Sequence, residues 1–175
     1  AGADLNGPHL LAVVDISGKG IGASLLMANI QATLRALLSV ESSLDAITRR
    51  TSDLLYASTP SSKYATAFLV KYDPSTGACD YVNAGHSEGL ILRRSGDVER
   101  LDSTSLPLAL LPGREYEQLS FMLAAGEVLL LYSDGVTDAN GAGGEEYGID
   151  RLIDILKLAG GMSLESLIDG IFASI

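Results

Sequence analysis

The sequence carries a single cysteine, Cys79, so no disulfide can close within the chain and no cysteine-based zinc cluster can form. That scarcity fits a reducing compartment, and the cytoplasm is the expected location. Positive charge is also scarce. Twelve Lys plus Arg face 22 Asp plus Glu, and the net charge of -10 argues against nucleic acid or an anionic membrane as a partner. No apolar run approaches the roughly 18 residues needed to cross a bilayer. The opening residues Ala1-Gly2-Ala3-Asp4 lack the basic stretch of a signal peptide. What the chain does have is 47% hydrophobic and 19% charged residues, the profile of one globular domain over 1–175.

The Asn6-Gly7 pair is a strong hairpin signal, and the apolar run that follows predicts a strand beginning near Leu10. The five residues ahead of that turn, Ala-Gly-Ala-Asp-Leu, are too short and too small a segment to make a convincing partner strand, so the chain is expected to start inside a domain. Leu26, Ile30, Leu34, Leu37 and Leu38 recur at helical spacing and predict a helix over 20–38. Ser43 reads as the N-cap of a second helix reaching about Tyr56. The period then changes to that of strands, at 64–72, 78–84, 88–94, 97–101, 116–123 and 127–133. Turn chemistry at 73–77, 95–97 and 125–127 separates them, and connections this short are expected to join antiparallel neighbours. A glycine-rich stretch over 141–144 leads to a helix over 149–158, and Ser163 caps a last helix running to the end. Strands bracketed by helices at both ends indicate an α+β class with helices on antiparallel sheets.

Two aspartates carry the chemical interest. Asp15 follows Leu-Leu-Ala-Val-Val and Asp134 follows Val-Leu-Leu-Leu-Tyr-Ser, and each precedes a glycine-containing turn. A carboxylate at the mouth of a buried strand is costly unless it is hydrogen-bonded, paired or bound to a cation. Each could simply cap a turn. The repeated pattern also suits a shared oxygen-rich site for a hard divalent cation.

Competing motifs fail on their letters. A phosphate loop ending at Gly18-Lys19 needs glycine at Val13 and Ser or Thr at Gly20. A calcium loop from Asp138 needs a ligand at Ala142 and Glu at Ile149. A cysteine phosphatase needs Arg six residues after Cys79, where Gly85 stands, so Cys79 reads as an ordinary strand residue. No Gly-x-Ser-x-Gly elbow is present, and there are only two histidines. His86 reads first as a structural hydrogen-bonding residue, Arg49-Arg50 and Arg93-Arg94 as solvated faces, and Glu145-Glu146 as an exposed loop.

Taken in order, Asp15-Ile-Ser-Gly-Lys-Gly-Ile-Gly-Ala-Ser-Leu-Leu-Met-Ala28, Tyr64-Ala-Thr-Ala-Phe68, Asn83-Ala-Gly-His86, Tyr132-Ser-Asp-Gly-Val-Thr-Asp-Ala139 and Glu146-Tyr-Gly148 resemble the stage II sporulation E subgroup of bacterial metal-dependent PPM-type serine/threonine phosphatases. The resemblance implies a four-layer αββα sandwich of antiparallel sheets with two Mn²⁺ or Mg²⁺ ions in its cleft. It assigns Asp15 as a ligand bridging both metals, the Ile16 backbone carbonyl as a further ligand, and Asp134 as a ligand of one metal. Metal-activated water would then attack phosphorus in line, which fits the lack of a protein nucleophile.

Two departures accompany it. The family's Gly-Gly-Asp and Asp-Asp-x-Thr motifs are missing, either because the domain is trimmed of terminal strands at both ends or because this protein has lost them, and a chain with only Asp15 and Asp134 should bind metal poorly and turn over weakly or not at all. Ser17 stands where the wider superfamily often has a histidine, which leaves the general acid open, with His86 as a candidate. The implied substrate is a phosphorylated anti-anti-sigma type regulator, downstream of a sensory or receiver domain, and a homodimer is compatible with this. A partner-binding module of the same fold without turnover is the alternative. The small residues of the first helix, Ala32 among them, suggest an element able to shift and gate Asp15.

Overall fold

The computed structural model describes residues 7–60, 63–140, 144–158 and 160–175. The elements run β1 (His9–Ile16), α1 (Ile21–Leu37), α2 (Leu44–Ser58), β2 (Ala65–Tyr72), β3 (Ala78–Ala84), β4 (Gly89–Leu92), β5 (Val98–Leu101), β6 (Leu119–Met122), β7 (Val128–Leu130), α3 (Asp134–Thr137), α4 (Gly148–Leu158) and α5 (Leu164–Ser174). They form two compact units, residues 1–86 with 102–122, and residues 87–101 with 123–175. Asn6 and the residues before it, and 141–143 of the glycine-rich stretch, lie outside the described residues.

The first unit is an antiparallel sheet in the order β1-β2-β3-β6. Alternation along the strands puts Ile16, Ala65, Ala67, Leu69, Val82 and Ala84 on one face, where they form a core with Leu26, Ile30 and Leu34 of α1 and Leu44, Ile47 and Leu55 of α2. The opposite face carries Asp15, Thr66, Phe68, Val70 and Tyr81, and the Phe68 and Tyr81 rings stack with centroids 5.5 Å apart. Ser43 does occupy the N-cap of α2, but its hydroxyl makes no capping bond. Gln118 takes that role from far along the chain: its Oε1 accepts from Leu44 N at 2.8 Å and from Asp45 N at 3.4 Å.

The second unit is an antiparallel sheet in the order β5-β4-β7, packed with α4 and α5 around Leu90, Leu92, Leu152, Leu156, Leu167 and Ile171. Ser163 caps α5 as expected, its hydroxyl accepting from Ser166 N at 3.2 Å.

Each unit shows the expected α+β class. Two expectations need correction. The rule that short connections join antiparallel neighbours holds for β2–β3 and β4–β5, but the turn at 125–127 links β6 and β7, which belong to different sheets, as do β3 and β4. Strands β6 and β7 are only four and three residues long, and their hydrogen-bonding partners are β3 and β4 instead. Arg93 is not a solvated face. Its guanidinium donates to Glu99 at 2.6 and 2.9 Å and to Glu127 at 2.7 Å. The helix α3 was not anticipated, being too short to show a period.

Candidate functional site

Asp15 lies one residue from the end of β1, directly opposite Thr66 of β2. It is exposed, and no hydrogen bond or ion pair with another described residue engages its carboxylate. The desolvation cost expected of a carboxylate at the mouth of a buried strand therefore does not arise, because this end of β1 is open.

Ile16 has the opposite arrangement, with its side chain buried and its carbonyl turned outward. Ser17 N donates to Tyr64 O at 3.0 Å, which makes Ile16 and Ala65 a non-hydrogen-bonded pair, and the polar groups of such a pair point away from each other. Ala65 uses its outward groups on Leu108, with bonds of 3.1 and 2.7 Å. Since β1 is the edge of the described sheet, the Ile16 carbonyl faces its open side.

The loop after Ile16 is pinned to the start of β2. Tyr64 N donates to Ser17 Oγ at 3.0 Å, and Lys63 Nζ donates to Ser17 O at 3.0 Å. Gly20, with φ 88° and ψ -168°, then opens α1 in a conformation that favours glycine. Thus the strand end bearing Asp15 is held against the start of β2.

Asn83-Ala-Gly-His86 forms a tightly specified turn. Asn83 is fully buried, its Oδ1 accepts from His86 N at 2.8 Å, and its carbonyl accepts from Thr104 N and Ser105 N. Gly85 has φ +65°, and a Cβ there would stand 2.6 Å from the Pro107 ring. Neither the backbone nor the space admits a side chain. The turn delivers the buried His86 ring to Thr66, with Nδ1 and Oγ1 hydrogen-bonded at 2.8 Å. The reading of His86 as a hydrogen-bonding residue agrees with this geometry.

Asp134 belongs to the second unit. It is not at a strand end: it is the first residue of α3, four residues beyond β7, and it too is exposed. Its backbone carbonyl accepts from Asp138 N at 2.8 Å and Thr137 Oγ1 at 3.2 Å, while its carboxylate makes no bond among the described residues. Nearby in sequence, the Tyr132 phenol is pushed up to about 12 by burial, reinforced by the Glu88 carboxylate and partly offset by Arg100.

The donor chemistry of Asp15, Ile16 and Asp134 is all oxygen, two carboxylates and a carbonyl, which fits a hard divalent cation. Among the described residues, no three His, Cys, Asp or Glu side chains gather into a group that could hold one. Sequence reasoning missed Thr66 and Lys63. The signal for Thr66 was available in the Tyr64–Phe68 motif, but only the strand register shows that it faces Asp15.

A profile of the family described as Stage II sporulation protein E (SpoIIE) matches residues 6–175. Phosphoserine phosphatase RsbU of Bacillus subtilis is 25% identical over 147 residues, covering 82% of this chain and 44% of that protein. The chain spans less than half the length of the curated relatives it matches. The crystal structure of the RsbU and RsbW domains of Rv1364c from Mycobacterium tuberculosis superposes with a TM-score of 0.84 at 21% identity, covering 98% of this chain and 49% of that one. The catalytic domain of the serine threonine protein phosphatase PstP, solved with two manganese ions, gives 0.67 at 18% identity, covering 94% and 81%. The fold is that of the PP2C phosphatase domains. With the family profile covering almost every residue, the chain belongs to the SpoIIE family.

Proposed function

We propose that residues 1–175 form a phosphatase domain that hydrolyses phosphoserine or phosphothreonine on a regulatory protein of the anti-anti-sigma type. In this reading Asp15, the Ile16 carbonyl and Asp134 hold Mn²⁺ or Mg²⁺. The observation that carries it is the end of β1, where an exposed, unengaged carboxylate and an outward carbonyl stand side by side on a pinned strand. The name of RsbU, a phosphoserine phosphatase, and the manganese-containing structure of PstP support the activity and the cofactor. When bound, divalent cations neutralise phosphate charge and make bound water nucleophilic near neutral pH.

The chain's own residues supply the frame. Among the described residues no lysine or arginine is ion-paired with the Asp15 carboxylate, and the Ser17–Tyr64 bonds keep the Ile16 carbonyl oriented. Holding donors in place before the ligand arrives lowers the entropic cost of binding it.

A second reading, a partner-binding module without turnover, is favoured by the lack of a three-residue metal cluster among the described residues. The two separate in one experiment: Mn²⁺-dependent phosphate release from a phosphoserine protein by the full-length gene product, compared with Asp15→Asn and Asp134→Asn. The phosphatase reading expects metal-dependent release that both substitutions abolish. A folded wild-type protein without turnover on several phosphoserine proteins would favour the binding module.

A further inference from the structure

Thr66 is the directly opposed cross-strand neighbour of Asp15, on the same face of the sheet. Side chains in such pairs stand about 5 Å apart at Cβ, so a threonine hydroxyl there is within reach of the carboxylate. An exposed carboxylate is a strong acceptor, and a charge-assisted bond from the hydroxyl would be the default local arrangement. The structure shows otherwise: Thr66 Oγ1 is bonded to His86 Nδ1 at 2.8 Å, and the Asp15 carboxylate takes nothing from it.

The effort invested in placing His86 is considerable. A buried asparagine, a left-handed glycine packed on Pro107 and two backbone bonds to the Thr104–Ser105 segment fix the turn that presents the ring. That presentation brings Nδ1 of the ring to Thr66 on β2.

We propose that His86 is a positioning residue that captures the Thr66 hydroxyl and so keeps the Asp15 carboxylate open for a divalent cation. With His86 Nδ1 unprotonated and accepting, the Thr66 hydroxyl commits its one proton to the histidine and has none to donate to Asp15. Losing the histidine frees the hydroxyl to rotate and donate to the carboxylate, which then must give up a hydrogen bond before accepting a metal. The inference rests on reading Asp15 as a cation ligand, and it assigns His86 no proton transfer.

The test is calorimetric titration of Mn²⁺ into the full-length protein, with thermal unfolding of the metal-free forms alongside. His86→Ala should weaken Mn²⁺ binding about tenfold, the low end of the range for residues that orient metal ligands. Thr66→Val alone should stay within about twofold of wild type, because it removes the competing hydroxyl. The double variant His86→Ala with Thr66→Val should recover most of the lost affinity, a non-additivity that reports the pairwise link. His86→Leu, which fills the volume without a polar atom, should behave like His86→Ala and serves if the alanine variant does not fold.

A double variant as weak as His86→Ala overturns the proposal, as does an unchanged affinity in both His86 variants. If the metal-free forms lose stability but keep their affinity, His86 is structural only, and the proposal fails. Asp15→Asn is the separate control: retention of Mn²⁺ binding there sinks the ligand reading itself, whatever the His86 variants do.

Discussion

The two units are held by different chemistry. In the first, polar side chains reach across the sequence to backbone groups inside the structure. Gln118 caps α2, Ser52 Oγ accepts from both Ala109 N and Tyr116 Oη at 2.9 Å, and Asn83 Oδ1 accepts from His86 N. In the second, charged groups at the surface do more of the work, with Arg93 joined to Glu99 and Glu127, Arg100 to Glu88, and Arg151 to Glu145. Buried neutral bonds fix one geometry and are costly to break, whereas exposed ion pairs contribute little and weaken with salt. The first unit is thus built to hold an arrangement, and the end of β1 that carries Asp15 belongs to it.

The sharpest way to break this contrast is Gly85→Ala. Its Cβ would collide with Pro107 in a backbone conformation unfavourable to alanine, and a loss of about 3 kcal/mol is expected from the clash and the strain together. Urea unfolding followed residue by residue through hydrogen exchange should show the loss in the first unit while the second keeps its protection.

Alkaline pH should reverse the contrast. The Tyr132 phenol in the second unit sits at about 12 against an ordinary 10.0, so the folded state holds its proton more tightly than the unfolded chain. The stability this contributes is complete below about pH 10 and is lost as pH rises toward 12, by about 2 to 3 kcal/mol in all. Tyr132→Phe should abolish that decline in the second unit. Tyr116, also pushed up by burial, gives the first unit a decline of its own, so protection must be read unit by unit.

The smallest effects sharpen the comparison most. Gln118→Leu removes the cap on α2 and should cost about 1 kcal/mol, the usual value for losing a cap. Arg151→Met, which breaks the exposed pair with Glu145, should cost no more than about 1 kcal/mol. The distinction lies in salt: unfolding in 0.1 and 1 M NaCl should shrink the Arg151 effect and leave the Gln118 effect unchanged. Equal salt dependence would dissolve the contrast between the units.

Much of this was legible in the sequence because its cues are local. The spacing of Leu26, Ile30 and Leu34 gave α1 to within a residue or so, and Ser163 marked the start of α5 where its hydroxyl does cap. Asp15 and Asp134 stood out because charge after an apolar run is unusual. Where reasoning failed, the deciding partner was distant. Ser43 had the right chemistry for a cap, yet Gln118, more than 70 positions away, occupies the site. Arg93 looked solvated because nothing local shows that Glu127, 34 positions on, comes within 2.7 Å. The turn at 125–127 had hairpin-like chemistry, but strands this short pair where the sheets offer an open edge.

By itself, the sequence determined the period of the longer elements, the glycines its turns require, the excess of acid over base, and the order of motifs that marks the SpoIIE family. These depend on steric limits and side-chain chemistry within a few residues. Only the tertiary structure decided that Thr66 faces Asp15, that His86 reaches Thr66, and that the Ile16 carbonyl turns to the open edge of its sheet. Those facts depend on strand register, and register is set by which whole faces are buried together, a property that no short stretch of residues contains.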